Sequence, residues 1–296
     1  MKTLETATQA AVSNVLFATD FSSNSNAALP YTLAVARQYG VRLYAAHVLS
    51  TEAYLLATPE TWPALAEQHQ KQEQIDVARL EAHLRGVPHE VLAPAGDISD
   101  VLFRVIHDHN IDLLVLGTHG RTGLPKLLMG SVAEKIFRQC PCPVLTVGPQ
   151  VPRRADAVAE FNRILFATDF TDESVAALPY AISMAQEHQA HLSLLHVLRE
   201  PEAGTVNLDS DTAFLMRQMK KLVPPSPDFS FQPEYFVEFG SAPEQILAFA
   251  SRQEADLILL GIRPAVDGLG TSTHFSHTMA QQIVTHATCP VITVRG

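Results

Sequence analysis

"NVLFATDFSSNSNAALPYTLAVARQYGVRLYAAHVL", residues 14–49, recurs at residues 163–198 as "RILFATDFTDESVAALPYAISMAQEHQAHLSLLHVL". The two stretches align without a gap, and 17 of the 36 positions are identical, Asp20 with Asp169 and His47 with His196 among them. Further on, "GDISDVLFRVIHDHNIDLLVLG" (96–117) matches "GSAPEQILAFASRQEADLILLG" (240–261), and "CPVLTV" (142–147) matches "CPVITV" (289–294). The chain is therefore one unit used twice. A period of about 149 residues is too long for a solenoid, so each copy is expected to be a complete domain. The expected bounds are 1–148 and 162–296, with a linker at 149–161. The join, "GPQVPRRADAVAEF" (148–161), has two prolines and no apolar periodicity, as a connection should.

Within the first copy, aliphatic or β-branched runs of strand length fall at 15–18, 41–48, 90–93, 112–117 and 143–147. Helical patterns lie between them at 24–39, about 61–85, 97–109 and 131–139. In "PAGDISDVLFRVIHDHN", Asp97 can cap a helix whose apolar stripe is Ile98, Val101, Leu102, Val105 and Ile106. Strands this apolar, alternating with helices, imply a mostly parallel sheet covered on both faces. Right-handed crossovers then give two tandem doubly wound α/β domains of five strands each, with ligands at the point where the winding reverses. The closing strands are apolar edges, and antiparallel pairing of the two copies through them would protect both. That makes an internal pseudo-dimer; a homodimer of the whole chain is also compatible with the sequence.

Composition narrows the function classes. Of 296 residues, 47% are hydrophobic and 18% charged, with a formal net charge of -10. No Lys/Arg block is present, which argues against a nucleic-acid surface. No apolar run approaches the roughly 20 residues of a membrane span, and the first 14 residues lack the apolar core of a signal peptide. Three cysteines, two of them in "CPC" at 140–142, fit reduced cytoplasmic thiols better than a disulfide framework. A CxC pair can bind soft metals, but no second Cys or His pair lies nearby, so packing and turn chemistry is the plainer reading.

One loop carries chemistry. "LGTHGRTGLPKLLMGS" (116–131) leaves the fourth strand and enters the last helix of the first copy. It matches neither G-x-x-x-x-G-K-[ST] nor G-x-G-x-x-G. Its place at the carboxyl end of a strand and the N-terminus of a helix nonetheless suits a phosphate, with glycines admitting anionic oxygens and Ser131 adding a hydroxyl. A glycine-rich surface connection with an ordinary serine cap is the bland alternative, and glycine content alone does not separate the two.

The spacing does. Gly117-x-x-Gly120, nine residues, then Gly130-Ser131 resembles the ATP-binding motif of the universal stress protein family. "FATDFS", "HVL" and "CPVLTV" resemble that family too, over nearly the whole chain. The resemblance implies the adenine nucleotide alpha-hydrolase-like fold. It implies ATP with Mg²⁺ or Mn²⁺ as ligand, the metal shared between phosphate oxygens and water. It puts Asp20 against the adenosine and the backbone of Val48 against adenine. Gly117, His119, Gly120, Gly130 and Ser131 would surround the phosphates. Arg121 is an exposed charge first and a phosphate contact second. Asp20 could instead cap the following helix, as Ser22 to Asn24 could. His47 and His196 lie on apolar strands and read as core residues.

Three functions are compatible with these residues: a regulatory ATP-binding protein in stress tolerance, an ATPase or adenylyl transferase, and a dimerising interaction module without physiological ATP. "FATDFSSNS" lacks the Ser-Gly-Gly-x-Asp-Ser loop of adenylating relatives, and 116–131 holds no carboxylate to orient a water. The first class is therefore preferred, with no catalytic residue assigned and slow hydrolysis left open. No membrane or nucleic-acid partner is expected.

The second copy keeps Asp169, Val197 and Gly261 but rebuilds the phosphate end. Pro264 stands opposite Gly120, and His277 and Thr278 stand opposite Gly130 and Ser131. Residues 1–150 carry 11 Lys/Arg against 14 Asp/Glu, a net of -3, and residues 151–296 carry 10 against 17, a net of -7. A polyanion is less welcome in the second copy. Arg263, His274 and His277 could preserve an altered anion site, and a zinc site from His274 and His277 lacks a third ligand.

Overall fold

The computed structural model describes residues 12–49, 62–118, 130–152, 159–199, 208–223, 229–263 and 279–296. In the first half the order is β1 (Asn14–Ala18), α1 (Ser23–Asn26), α2 (Leu29–Tyr39), β2 (Arg42–Ala46), α3 (Trp62–His83), β3 (His89–Leu92), α4 (Ile98–Asp108), β4 (Leu113–Gly117), α5 (Ser131–Gln139) and β5 (Val144–Val147). The second half runs β6 (Arg163–Ala167), α6 (Asp172–Glu187), β7 (His191–Leu198), α7 (Leu208–Leu222), β8 (Glu234–Phe239), α8 (Ala242–Arg252), β9 (Leu257–Ile262), α9 (Met279–His286) and β10 (Val291–Arg295).

All ten strands form one sheet, in the order β3-β2-β1-β4-β5-β10-β9-β6-β7-β8. Neighbours within each half are parallel, and the two halves meet through β5 and β10, which run antiparallel with Leu145 opposite Ile292. The apolar edge that each half would expose is thereby consumed by the other. Leu145 is fully buried and Ile292 nearly so. The expected pseudo-dimer is present as a continuous sheet.

Both faces are covered, as near-continuous apolar strands require. On one face a single cluster spans the seam, running from Val15, Phe17 and Val35 through Phe161 to Phe166 and Leu178. There α2 meets α6: the Tyr39 hydroxyl donates to Met184 Sδ at 3.0 Å, and the Gln38 amide donates to the Glu187 carbonyl. On the other face each half has its own cluster, but Phe137 of α5 belongs to that of the second half. α4 shows why these helices dock. Asp97 caps it by accepting from the Asp100 N–H at 3.0 Å, as its sequence implies. Its stripe of Val101, Leu102, Val105 and Ile106 is buried, each side chain stabilising the fold by about 1.5–3 kcal/mol.

A carboxylate pins each half at the other end of the sheet. Asp112 Oδ2 accepts from the backbone N–H of Ser13 (2.8 Å) and Asn14 (3.0 Å), tying the start of β4 to that of β1. Asp256 does the same for Asn162 and Arg163.

One expectation is corrected. The helix read at 24–39 is two helices, α1 and α2, parted at Ala27–Ala28, with a proline in the first turn of α2. Pro30 has no N–H for the Asn26 carbonyl, and Ser23, Asn24 and Asn26 are weak helix formers. In the second half α6 runs unbroken past Pro179, where Asp172, Glu173 and Val175 replace those residues.

Candidate functional site

Strand order places the winding reversal between β1 and β4, since β2 and β3 lie to one side and β5 to the other. At the carboxyl ends of these strands three segments converge.

The first is the turn after β1. Thr19 Oγ1 meets Ser25 Oγ at 3.1 Å and accepts from the Phe21 N–H at 3.0 Å. Ser22 caps α1 by accepting from the Ser25 N–H at 3.1 Å. These bonds hold Phe21 at φ 60°, a left-handed conformation that an L residue adopts only when its surroundings impose it. Asp20 stands in the middle, half-buried, its Oδ1 accepting from the Ser22 N–H at 3.0 Å. The cap is Ser22, so Asp20 braces the turn and carries its negative charge to the sheet edge.

The second segment follows β2. His47 Nδ1–H donates to the Thr19 carbonyl at 2.9 Å, and its ring lies 4.5 Å from that of Phe21. His47 is thus a buried brace of the same turn. Leu49 directs its N–H to Pro94 and its carbonyl to Gly96, on the β3 side. Peptide groups alternate along an extended strand, so those of Val48 turn to the β1 side.

The third is the ends of the loop read as a phosphate cradle. Gly130 N–H donates to the Thr118 carbonyl at 3.0 Å, and Thr118 N–H donates to Val147 at 3.1 Å. The loop therefore leaves and returns at one point, which brings Gly117 together with Gly130 and Ser131. Gly130 is the N-cap of α5 and offers no side-chain oxygen to it. The N–H groups of its first turn have no intrahelical acceptor and carry the positive end of the helix dipole.

The two glycines differ in kind. A β-carbon on Gly117 would lie 2.7 Å from the Asn24 carbonyl oxygen and 3.1 Å from Ser25 Cα, so the turn after β1 can seat on β4 only over a glycine. A β-carbon on Gly130 would meet, among the described residues, only the Thr118 oxygen at 3.4 Å, and its φ of -63° suits any residue. Packing explains Gly117; what Gly130 leaves open, among the described residues, is room beside amides that have no intrahelical acceptor.

Asp20, Val48, Gly117, Gly130 and Ser131 are therefore brought to one edge. His119, Gly120 and Arg121 lie outside the described residues, as do Pro264, His274, His277 and Thr278. Thr19, Phe21, Ser25 and His47 were missed as the frame that positions Asp20. Their signal was in the repeat. Thr168 Oγ1 meets Ser174 Oγ at 2.9 Å, Phe170 has φ 62°, and His196 Nδ1–H donates to the Thr168 carbonyl at 2.7 Å.

The second half keeps this frame but changes its charge. Asp172 and Glu173 occupy the first turn of α6, where Ser23 and Asn24 stand in the first half. With Asp169 they put three carboxylates at positions where the first half has Asp20, Ser23 and Asn24. Burial opposes the Asp169 charge, but hydrogen bonds from Thr171 and Ser174 hold its carboxyl below the usual range. Glu173 has Arg263 as a neighbour at 4.0 Å.

A cavity of about 190 Å³ lies at the opposite end of the second half, lined by Arg163, His191, Ser193, Glu234, Phe249 and Gln253 among others. In the first half Tyr44 and His109 pack together at the corresponding end, their rings 4.3 Å apart. Ser193 and Gln253 stand at those two positions in the second half.

A doubly wound sheet with a ligand edge at its reversal defines a broad class of nucleotide-fold proteins. Comparison narrows it. The sequence matches the Universal stress protein family over residues 12–148 and again over 160–295. The chain belongs to the universal stress protein family. A universal stress protein of Thermus aquaticus is 31% identical over 135 residues, covering 45% of this chain and 96% of that one. One from Methanocaldococcus jannaschii is 28% identical over 136 residues, 45% of this chain and 80% of its own. Among solved structures, a universal stress protein from Archaeoglobus fulgidus superposes with a TM-score of 0.71 at 22% identity, covering 95% of this chain and 96% of that one. The last likeness concerns the fold, including the arrangement of two units in one chain's length. Among the described residues no helix is long and apolar enough to cross a membrane.

Proposed function

We propose that this chain is a cytoplasmic regulatory nucleotide-binding protein of stress tolerance whose first half, residues 1–148, holds ATP. The observation that carries this reading is the first turn of α5, which receives no side-chain cap from its N-cap Gly130, set against the β1–β4 reversal with space at Gly130 among the described residues. Phosphates would lie over Gly130 and Ser131 and under the loop that contains His119, Gly120 and Arg121. Asp20 would take the adenosine and the Val48 backbone the adenine. Among the described residues no group of three or more His, Cys, Asp or Glu is placed to hold a metal. We assign the Mg²⁺ or Mn²⁺ to phosphate oxygens and water. Residues 149–161 serve as linker and 162–296 as the second domain. The second half would not hold ATP in this way, because Asp169, Asp172 and Glu173 gather at its edge.

Thermal unfolding tests this directly. ATP with Mg²⁺ at a hundredfold excess over its dissociation constant stabilises a one-site protein by about 2.7 kcal/mol. No shift in melting temperature at millimolar ATP would defeat the proposal.

A further inference from the structure

Cys140 and Cys142 flank Pro141 where α5 gives way to β5, and their sulfurs are 3.6 Å apart. Cys140 is buried, Cys142 is partly exposed, and neither is in a disulfide. Both precede Val144, the residue at which β5 begins its pairing with Thr293 of β10. The third cysteine supplies a contrast inside the same chain. Cys289 occupies the place of Cys142 in the second copy, but Ala287 stands where Cys140 does, so no second cysteine lies two residues before it. Burial pushes the Cys289 thiol up to about 12.

We propose that Cys140 and Cys142 are an oxidisable dithiol that closes to an intrachain disulfide on meeting a peroxide, a modification site at the seam between the two halves. The pair shares a proton: the hydrogen bond from Cys142 draws the Cys140 thiol below its ordinary range, against the effect of burial and with help from Arg295. A thiolate is the reactive form. Cys142 keeps the proton, its thiol pushed up by the same hydrogen bond and by burial, and as the partly exposed sulfur it marks the side from which a small oxidant reaches the pair. The thiolate sulfur attacks one oxygen of hydrogen peroxide; an S–O bond forms, the O–O bond breaks, and the leaving hydroxide takes a proton to become water. The second sulfur then attacks the sulfenic sulfur; the S–S bond forms, the S–O bond breaks, and a second water leaves. Two thiols and one peroxide thus give one disulfide and two waters. Closure brings the sulfurs from 3.6 Å to about 2.05 Å. The β4–β5 ladder begins with the Leu114 N–H donating to the Pro143 carbonyl at 3.0 Å, so the small rotation that closure needs falls on residues 140–142, between α5 and that bond. A metal site is the weaker use of the pair, because the described residues supply no third ligand beside it.

The test uses the full-length chain, reduced, freed of reductant and exposed to a modest excess of hydrogen peroxide. It is then alkylated under denaturing conditions and weighed intact. The expected product has lost two hydrogens, carries one alkyl group, on Cys289, and regains three alkylatable thiols after dithiothreitol. Cys140→Ala, which copies the second repeat, should abolish the loss of two hydrogens. Three alkylated cysteines under conditions that oxidise free glutathione would overturn the proposal. So would oxygen additions without a Cys140–Cys142 link, a link between two chains, or a zinc ion retained by the reduced protein. The wild-type measurement stands even where a variant fails to fold, and it does not depend on nucleotide binding.

Discussion

Gly117 lies under the backbone of Asn24, so close that a β-carbon would come within 2.7 Å of the Asn24 carbonyl oxygen. Gly261 repeats the relationship with Glu173, at 2.2 Å. The glycine shared by both halves therefore seats the first helix of each half on the end of a central strand. Gly130 has no such neighbour among the described residues. This separates two roles that a glycine motif merges.

Substitution reads the difference. Gly117→Ala and Gly261→Ala should each destabilise by about 1–3 kcal/mol through overpacking, seen as a lower urea midpoint with or without nucleotide. Gly130→Ala should change stability by no more than about 0.5 kcal/mol, since a poorer N-cap is offset by a stiffer unfolded chain. Gly130→Leu should weaken ATP binding while the fold survives. Equal destabilisation at Gly117 and Gly130 would remove the distinction.

The seam should behave as core. Leu145 and Ile292 face one another across the antiparallel pair, and their buried amides should exchange hydrogen only at rates near those of global unfolding. Exchange as fast as that of surface loops would mean that the two halves part readily. Were that so, the apolar edges would again be exposed.

Acid should loosen the α2–α6 face through His188. Its ring packs edge-on to Phe161 at 5.0 Å and near Tyr39 at 5.9 Å, and its buried Nε2 has no hydrogen-bond partner among the described residues. Burial lowers its pKa to about 4. The folded chain resists a proton that the unfolded chain accepts near 6.5. Stability from this group is complete above about pH 6.5 and is lost as pH falls toward 4. Solvent screening of the partly exposed ring limits the effect to about 2 kcal/mol. His188→Phe should flatten that part of the profile, measured as the difference in urea stability from wild type between pH 7 and 4.5. An unchanged difference would assign the acid response to carboxylates.

Much of this arrangement was legible because the chain states it twice. Strand placement followed from aliphatic runs whose bounds moved by a residue or two, and "CPVLTV" with "CPVITV" announced apolar edges in need of a partner. The break between α1 and α2 was not legible, since Pro30 and Pro179 are equivalent and only the neighbouring residues decide. Nor was the Thr19–Ser25 contact. Its two hydroxyls are six residues apart, one just after a strand and the other in a helix, so no single period relates them. Asp20 and Val48 came from likeness to a family, whereas their approach to Gly117 and Gly130 depends on strand order. That order follows from chain connection and handedness, which no local stretch contains.

Isothermal titration with ATP and Mg²⁺ tests the central claim, a nucleotide site in the first half alone. The account predicts one ATP per chain, lost in Gly130→Leu and unaffected by His277→Ala. It also predicts that Asp172→Ser with Glu173→Asn, which copies the charge of the first half, leaves the first site unchanged. Two equivalent sites per chain, or one that survives Gly130→Leu and disappears with a change in the second half, would contradict it.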